Sequence, residues 1–218
     1  MVNLIKSTLL KPTIYYFILT LILLSSCDKK EIEIDSKKSV QLTYKDGKYT
    51  LLRHGKPYFI KGASGNGNLQ LLKEIGGNSV RTYTTENAKE ILDKADSLGL
   101  TVMLGIWIDQ YSDENDFSDE IENQKLLNYI KREVLRYKDH PALLMWGIGN
   151  EVHPINPNIS TWQFLEKACK MVKELDPNHP VTTSIAGYPR RNMIFMNLFL
   201  NNVDFVSFNT FGGINTFK

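Results

Sequence analysis

The sequence predicts a parallel α/β fold, a (β/α)8 barrel cut short after about six strands and preceded by a small β-hairpin. Short, nearly continuous apolar runs alternate with amphipathic helical stretches along most of the chain. Polar residues gather at the C-terminal end of one apolar run after another. An open doubly wound sheet is the competing architecture, and a Gly-rich phosphate turn would mark it. "GASGNGN" spaces its glycines as Gly62, Gly65 and Gly67, which does not fit G-x-G-x-x-G, and no phosphate-loop lysine follows. The barrel is preferred, because there the polar strand ends converge on one functional face.

The elements follow in order. In "SVQLTYKDGKYTLLRHGKPYF", Val40, Leu42 and Tyr44 share one face, Asp46-Gly47 turns the chain, and Tyr49 and Leu51 begin the return strand. His54-Gly55 makes a second turn into the main fold. The predicted barrel strands are Tyr58–Ala63, Ser79–Tyr83, Thr101–Ile108, Leu143–Asn150, Val181–Ala186 and Val203–Asn209. Predicted helices run over Leu69–Ile75, Glu86–Leu98, Glu120–Tyr137, Thr161–Leu175 and Arg191–Leu200. The second places Ala88, Ile91, Leu92, Ala95 and Leu98 at helical spacing, and Gly99 ends it. Leu126, Leu127, Ile130, Val134 and Leu135 form the apolar face of the third. A closed barrel needs two strands more, expected beyond residue 218.

Ahead of the fold, Lys6 and Lys11 precede the apolar stretch "PTIYYFILTLILLSSC", which has the build of a secretory signal and is short for a membrane span. Its end, Leu24-Ser25-Ser26-Cys27, resembles a bacterial lipobox. That resemblance implies a lipidated Cys27 as mature N-terminus and a protein anchored to a membrane of the bacterial cell envelope. The predicted organisation is a signal peptide over 1–27, a charged tether over 28–38, a hairpin over 39–57 and a partial barrel over 58–218. Cys169 is then the only other cysteine, without a partner for a disulfide, and reads as a small core residue. With 26 Lys+Arg against 24 Asp+Glu, the chain shows no electrostatic footprint for nucleic acid. His54, His140, His153 and His179 lack acidic or cysteine neighbours at zinc spacing, so neither metal nor cofactor is implied.

"MWGIGNEVHP", residues 145–154, carries the chemistry. A buried strand ends here in an amide beside a carboxylate, Asn150-Glu151. Burial at a barrel mouth raises a carboxyl pKa and suits a proton donor, while an amide beside it can bond a hydroxyl without competing for protons. Gly147 and Gly149 remove side chains where neighbours pack or a ligand approaches. Spacing alone leaves two roles open for Glu151: acid/base, or a helix cap or arginine partner.

"WGIGNEV" resembles the fourth-strand motif of clan A glycoside hydrolases, (β/α)8 barrels that place Asn and then the acid/base Glu at that strand's end. "GKPYFIKGAS", "GGNSVRTY", "LGLTVMLGIWI" and "VDFVSFNTFGG" resemble strands one, two, three and six of the family 2 catalytic barrel. "NSVRTY" is also similar to β-1,3-glucanosyltransferases. The resemblance implies a retaining β-glycosidase or transglycosidase acting on oligo- or polysaccharide. It implies Glu151 as general acid/base and Asn150 as the amide on the sugar 2-hydroxyl. Arg81 would support the nucleophilic carboxylate, against an ion pair with Glu86 or Asp109. Trp107 and Asn209 complete the substrate-binding set; Trp146 reads as core. Phe211 stands where the family often has a tyrosine, and the nucleophile is expected on a seventh strand, beyond residue 218. Neither Asp204 nor Asp109 is a convincing substitute. A non-catalytic carbohydrate-binding lipoprotein and a truncated gene product are the competing readings.

Overall fold

The computed structural model describes residues 31–65, 67–108, 117–152, 159–187 and 190–210, with backbone alone for 190–192. Cys27, Asp109, His153 and Phe211 lie outside the described residues. The chain divides into two compact units, Met1–Glu31 and Ile32–Lys218, and the second holds every element named below.

Three antiparallel strands come first: β1 (Val40–Lys45), β2 (Lys48–Arg53) and β3 (Lys56–Pro57). The hairpin register pairs Tyr44 with Tyr49 across the Asp46-Gly47 turn, where both residues adopt positive φ. The short β3 adds a third strand to the expected hairpin. Part of the charged segment read as tether is bound to the fold, since Ile32 bridges Tyr44 and Asp35 donates its backbone N–H to Gln41.

Six parallel strands follow in sequential order: β4 (Gly62–Ser64), β5 (Ser79–Arg81), β6 (Thr101–Ile106), β7 (Leu143–Asn150), β8 (Val181–Ala186) and β9 (Phe205–Asn209). Helices α1 (Leu69–Glu74), α2 (Ala88–Ser97), α3 (Glu120–Tyr137), α4 (Ile159–Leu175) and α5 (Arg190–Phe199) connect them. This is an α/β half-barrel, a partial (β/α)8 barrel, and among the described residues β4 and β9 have open outer edges. Strand alternation sends Val80, Val102, Leu104, Trp146 and Ile148 outward to pack with Leu92, Ile130, Val134 and Leu165 of the helices. Cys169 is fully buried on α4, and burial pushes its thiol pKa up, which keeps it inert.

The small sheet closes the base of the half-barrel. Val40, Leu51 and Tyr58 pack with Leu144, Met145, Met103 and Phe205. The first barrel strand therefore starts later than expected. Tyr58 still pairs with Leu51, and its hydroxyl crosses the base to Asn78 O (2.9 Å) and Thr101 Oγ1 (3.0 Å). Tyr58–Ile60 belongs to that crossing and not to a strand; Tyr58 is half-buried, and the polar strand starts supply the partners for its hydroxyl. Asp204 lies just ahead of β9 instead of within it, holding Lys173 Nζ (2.8 Å) and the Val181 N–H (2.8 Å).

A second base network is anchored by Asp176, which is 2% exposed. Its Oδ2 accepts from Trp146 Nε1 (2.8 Å) and from His179 Nδ1 (2.8 Å), and its Oδ1 from Asn178 N (3.0 Å). Burial pushes the Asp176 pKa up, yet the hydrogen bonds and charge of His179, with Trp146 and Asn178, hold it below the ordinary carboxylate range. Trp146 is fully buried here, which removes it from any sugar-stacking role.

Candidate active site at the strand ends

Two features of β7 aim its final residues. Gly147 pairs with Thr182 and Asn150 with Ser184, so three steps on β7 oppose two on β8. Gly149 sits in this bulge at φ +70°, the left-handed region that glycine enters without a Cβ penalty, and an added Cβ would meet Val152 Cγ2 at 2.5 Å. The bulge resets the alternation, so Asn150 pairs with Ser184 instead of continuing the outward row of Trp146 and Ile148. Gly147 faces Met103, whose Cε would stand 2.9 Å from an added Cβ. The glycines of the motif thus serve a bulge and close packing.

Glu151 follows at φ +58°, a left-handed conformation that costs a non-glycine residue roughly 1–2 kcal/mol. Its backbone N–H is tied to Ser184 O at 2.8 Å, which stabilises that conformation. The strain turns a half-buried carboxylate across the strand ends toward β9.

There it meets a ring of side chains from four strands. Arg81 of β5 donates through Nη1 to Asn209 Oδ1 (3.0 Å) and through Nη2 to Asn150 Oδ1 (2.7 Å) and Ser184 Oγ (2.8 Å). Asn209 Nδ2 donates to Asn150 Oδ1 (2.9 Å) and to Glu151 Oε1 (2.6 Å). An arginine has no acceptor, so the contact with Arg81 fixes the Asn209 oxygen toward it and the Asn209 NH2 toward Glu151. The Asn150 oxygen receives two donors, which fill its lone pairs and leave its NH2 as the group to offer a ligand.

Arg81 is half-buried, and its guanidinium lies 4.8 Å from the centroid of the Tyr83 ring. Burial lowers its pKa from the ordinary value, while the charges of Tyr83 and Glu151 oppose that shift. An arginine nonetheless stays cationic. Among the described residues its hydrogen-bond partners are neutral amides and a hydroxyl, so no carboxylate bonds it directly and Glu151 acts on it only through space. The site holds a cation with capacity for an anion.

Arg81, Asn150, Glu151 and Asn209 are thus brought together at the C-terminal strand ends. Trp107 lies half-buried just past the end of β6. Ser184 and Tyr83 join them against Arg81 from within the predicted strands Val181–Ala186 and Ser79–Tyr83, where a polar residue toward a barrel strand's C-terminal end was the available signal.

Residues 64–210 match the pattern of "Glycosyl hydrolases family 2, TIM barrel domain". The chain belongs to glycosyl hydrolase family 2. A β-glucuronidase of Chlorocebus aethiops is 28% identical over 152 residues, a stretch covering 60% of this chain and 22% of that protein. The chain thus spans about a fifth of the length of the curated relatives it matches. Among solved structures, the β-D-glucuronidase of Dictyoglomus thermophilum superposes with a TM-score of 0.58 at 20% identity, covering 83% of this chain and 32% of that one. ScGas2 superposes with a TM-score of 0.63 at 18% identity, covering 82% and 48%. These likenesses establish the shared barrel fold. The protein is a partial family 2 glycoside hydrolase barrel related to β-glucuronidases.

Proposed function

We propose that the chain is the acid/base-bearing portion of a retaining β-glycosidase or transglycosidase. The observation that carries this reading is the Asn209-to-Glu151 hydrogen bond of 2.6 Å beside the Arg81–Asn150 pair. With Oε1 held by Asn209, the other Glu151 oxygen is the one to protonate a glycosidic oxygen and later take a proton from water or an acceptor sugar. The Asn150 NH2 donates to a sugar hydroxyl oxygen. Retention needs a second carboxylate about 5–5.5 Å from the first as nucleophile, and Arg81 is placed to hold one. That carboxylate comes from a seventh strand added beside β9. The relatives make β-glucuronides the first substrates to try, without fixing the sugar.

Residues 1–218 assayed on aryl β-glycosides, aryl β-glucuronides and β-glucan oligomers should give no meaningful turnover. Supplying strands seven and eight of a family 2 barrel as a second chain should restore turnover that Glu151→Gln abolishes. Failure of the completed barrel to turn over would sink the reading. Robust turnover by residues 1–218 alone, lost in Glu151→Gln, would place a nucleophile within the chain and overturn the division of labour.

We also propose, from LSSC alone, that the protein is lipid-anchored in the cell envelope through Cys27. Cys27→Ala should release it from membranes or stall its processing. Unchanged mass and membrane partition after that change would refute the anchor.

A further inference from the structure

The base of the half-barrel carries a second polar cleft, at the opposite end of the strands from Glu151. Its volume is about 170 Å³. That is room for one small oxyanion together with some of its water. Three walls form it: the edge of the small sheet, the α3–β7 connection and the α4–β8 connection. Hydrogen bonds tie the small sheet to the other two walls, from Val40 N to Asn178 O (3.1 Å) and from Arg53 Nη2 to Pro141 O (3.1 Å), while His54 N to Ser39 O (2.7 Å) closes its own edge.

The lining is unbalanced in charge although the chain as a whole is nearly balanced. Arg53 and Lys138 are permanent cations, and Asp139 is the one carboxylate among the described lining residues. Asp139 meets the Lys138 ammonium only at 3.3 Å, and 79% of its side chain is in solvent, so it neutralises the cleft poorly. His140 is already committed, with Nε2 on Asp93 (3.2 Å) and Nδ1 accepting from Ala142 N (3.2 Å). His179 has Nδ1 committed to Asp176. The donors among the lining residues are the Arg53 guanidinium, which spends one Nη2 bond on Pro141 O, and the Lys138 ammonium, with the Ser39 hydroxyl and the Asn178 amide. A forked guanidinium and a point ammonium around a space of this size suit a tetrahedral dianion.

We propose that this cleft binds a phosphate group, either inorganic phosphate or the head of a phosphate monoester. The site is independent of the glycosidase reading, because none of its residues belongs to the Arg81–Glu151 ring.

The test is a titration of the full chain with inorganic phosphate at constant ionic strength, following the backbone amide resonances of Ser39 and Asn178. Saturable shifts are expected with phosphate and not with chloride. Arg53→Gln and Lys138→Gln should each weaken binding about tenfold, the worth of one charge-assisted hydrogen bond. Lys125→Gln, on α3 away from the cleft, should leave it unchanged. The amide shifts in the unsubstituted protein decide the matter even where a variant fails to fold. A parallel titration with glycerol phosphate distinguishes the sources: equal affinity assigns the monoester, and loss of binding assigns free phosphate. Linear, unsaturating shifts for both ligands, or affinity unmoved by Arg53→Gln and Lys138→Gln, would overturn the proposal.

Discussion

The same strand, β7, carries a polar network near its start and another at its end, and the two are built for opposite purposes. At the base, Asp176 is 2% exposed and both of its oxygens are taken by Trp146, His179 and Asn178. At the mouth, Arg81, Asn150, Glu151 and Asn209 are all half-buried, and the network ends in an amide NH2 and a carboxylate oxygen that can still take a partner. A closed, dry network holds connections in place because every unmade bond there is costly. An open one accepts a weaker hold on its members and keeps capacity for a ligand. Burial, more than residue type, separates structure from chemistry here.

The largest effect should come from breaking the closed network. Asp176→Ala strands three donors, one of them the fully buried Trp146 Nε1, and should cost about 3 kcal/mol in urea unfolding. The native Asp176 pKa is depressed. Its contribution is therefore in place above the unfolded carboxylate value of about 4 and is lost as pH falls through the lower native value. Asp176→Asn should flatten that acid limb of the stability curve. An unaltered limb would assign the acid sensitivity elsewhere.

Gly149→Ala should come next, at about 2 kcal/mol, because a left-handed residue gains a Cβ that also meets Val152 at 2.5 Å. The same change should displace Asn150 and Glu151 from the ring, visible as altered amide resonances of Asn209. Gly147→Ala should cost less, about 1 kcal/mol, since the Met103 methyl that it meets ends a flexible side chain.

Arg81→Met should have the smallest effect on stability, about 1 kcal/mol or less. It removes a desolvated cation from a place where water can reach the amides left behind. Its consequence belongs to the site: the Asn209 amide loses what orients it and Glu151 loses its fixed donor. Equal destabilisation by Arg81→Met and Asp176→Ala would erase the distinction between the two networks.

Local signals account for what was legible. Helix α3 was readable to the residue over Glu120–Tyr137, because its apolar period and the capping Asp119 are encoded within a few positions. The first barrel strand was not. Tyr58–Ile60 has strand composition, but the Tyr58 hydroxyl is claimed by Asn78 and Thr101, and only the folded base brings those together. Asn150 and Glu151 were visible as a polar pair closing an apolar run. Ser184 as a partner of Arg81 was not visible, being 103 residues away.

By itself, the sequence determined the order of strands and helices, the alternating faces, and which polar residues stand at strand ends. Those follow from periods of two and 3.6 residues, which any stretch of chain expresses alone. The tertiary structure decided where β7 bulges, which way the Asn209 amide turns, and that Trp146 belongs to the base. Each of these depends on a contact between distant segments: β7 against β8, Arg81 against Asn209, Trp146 against Asp176. No local period encodes such meetings, because they exist only once burial has forced distant polar groups to find partners.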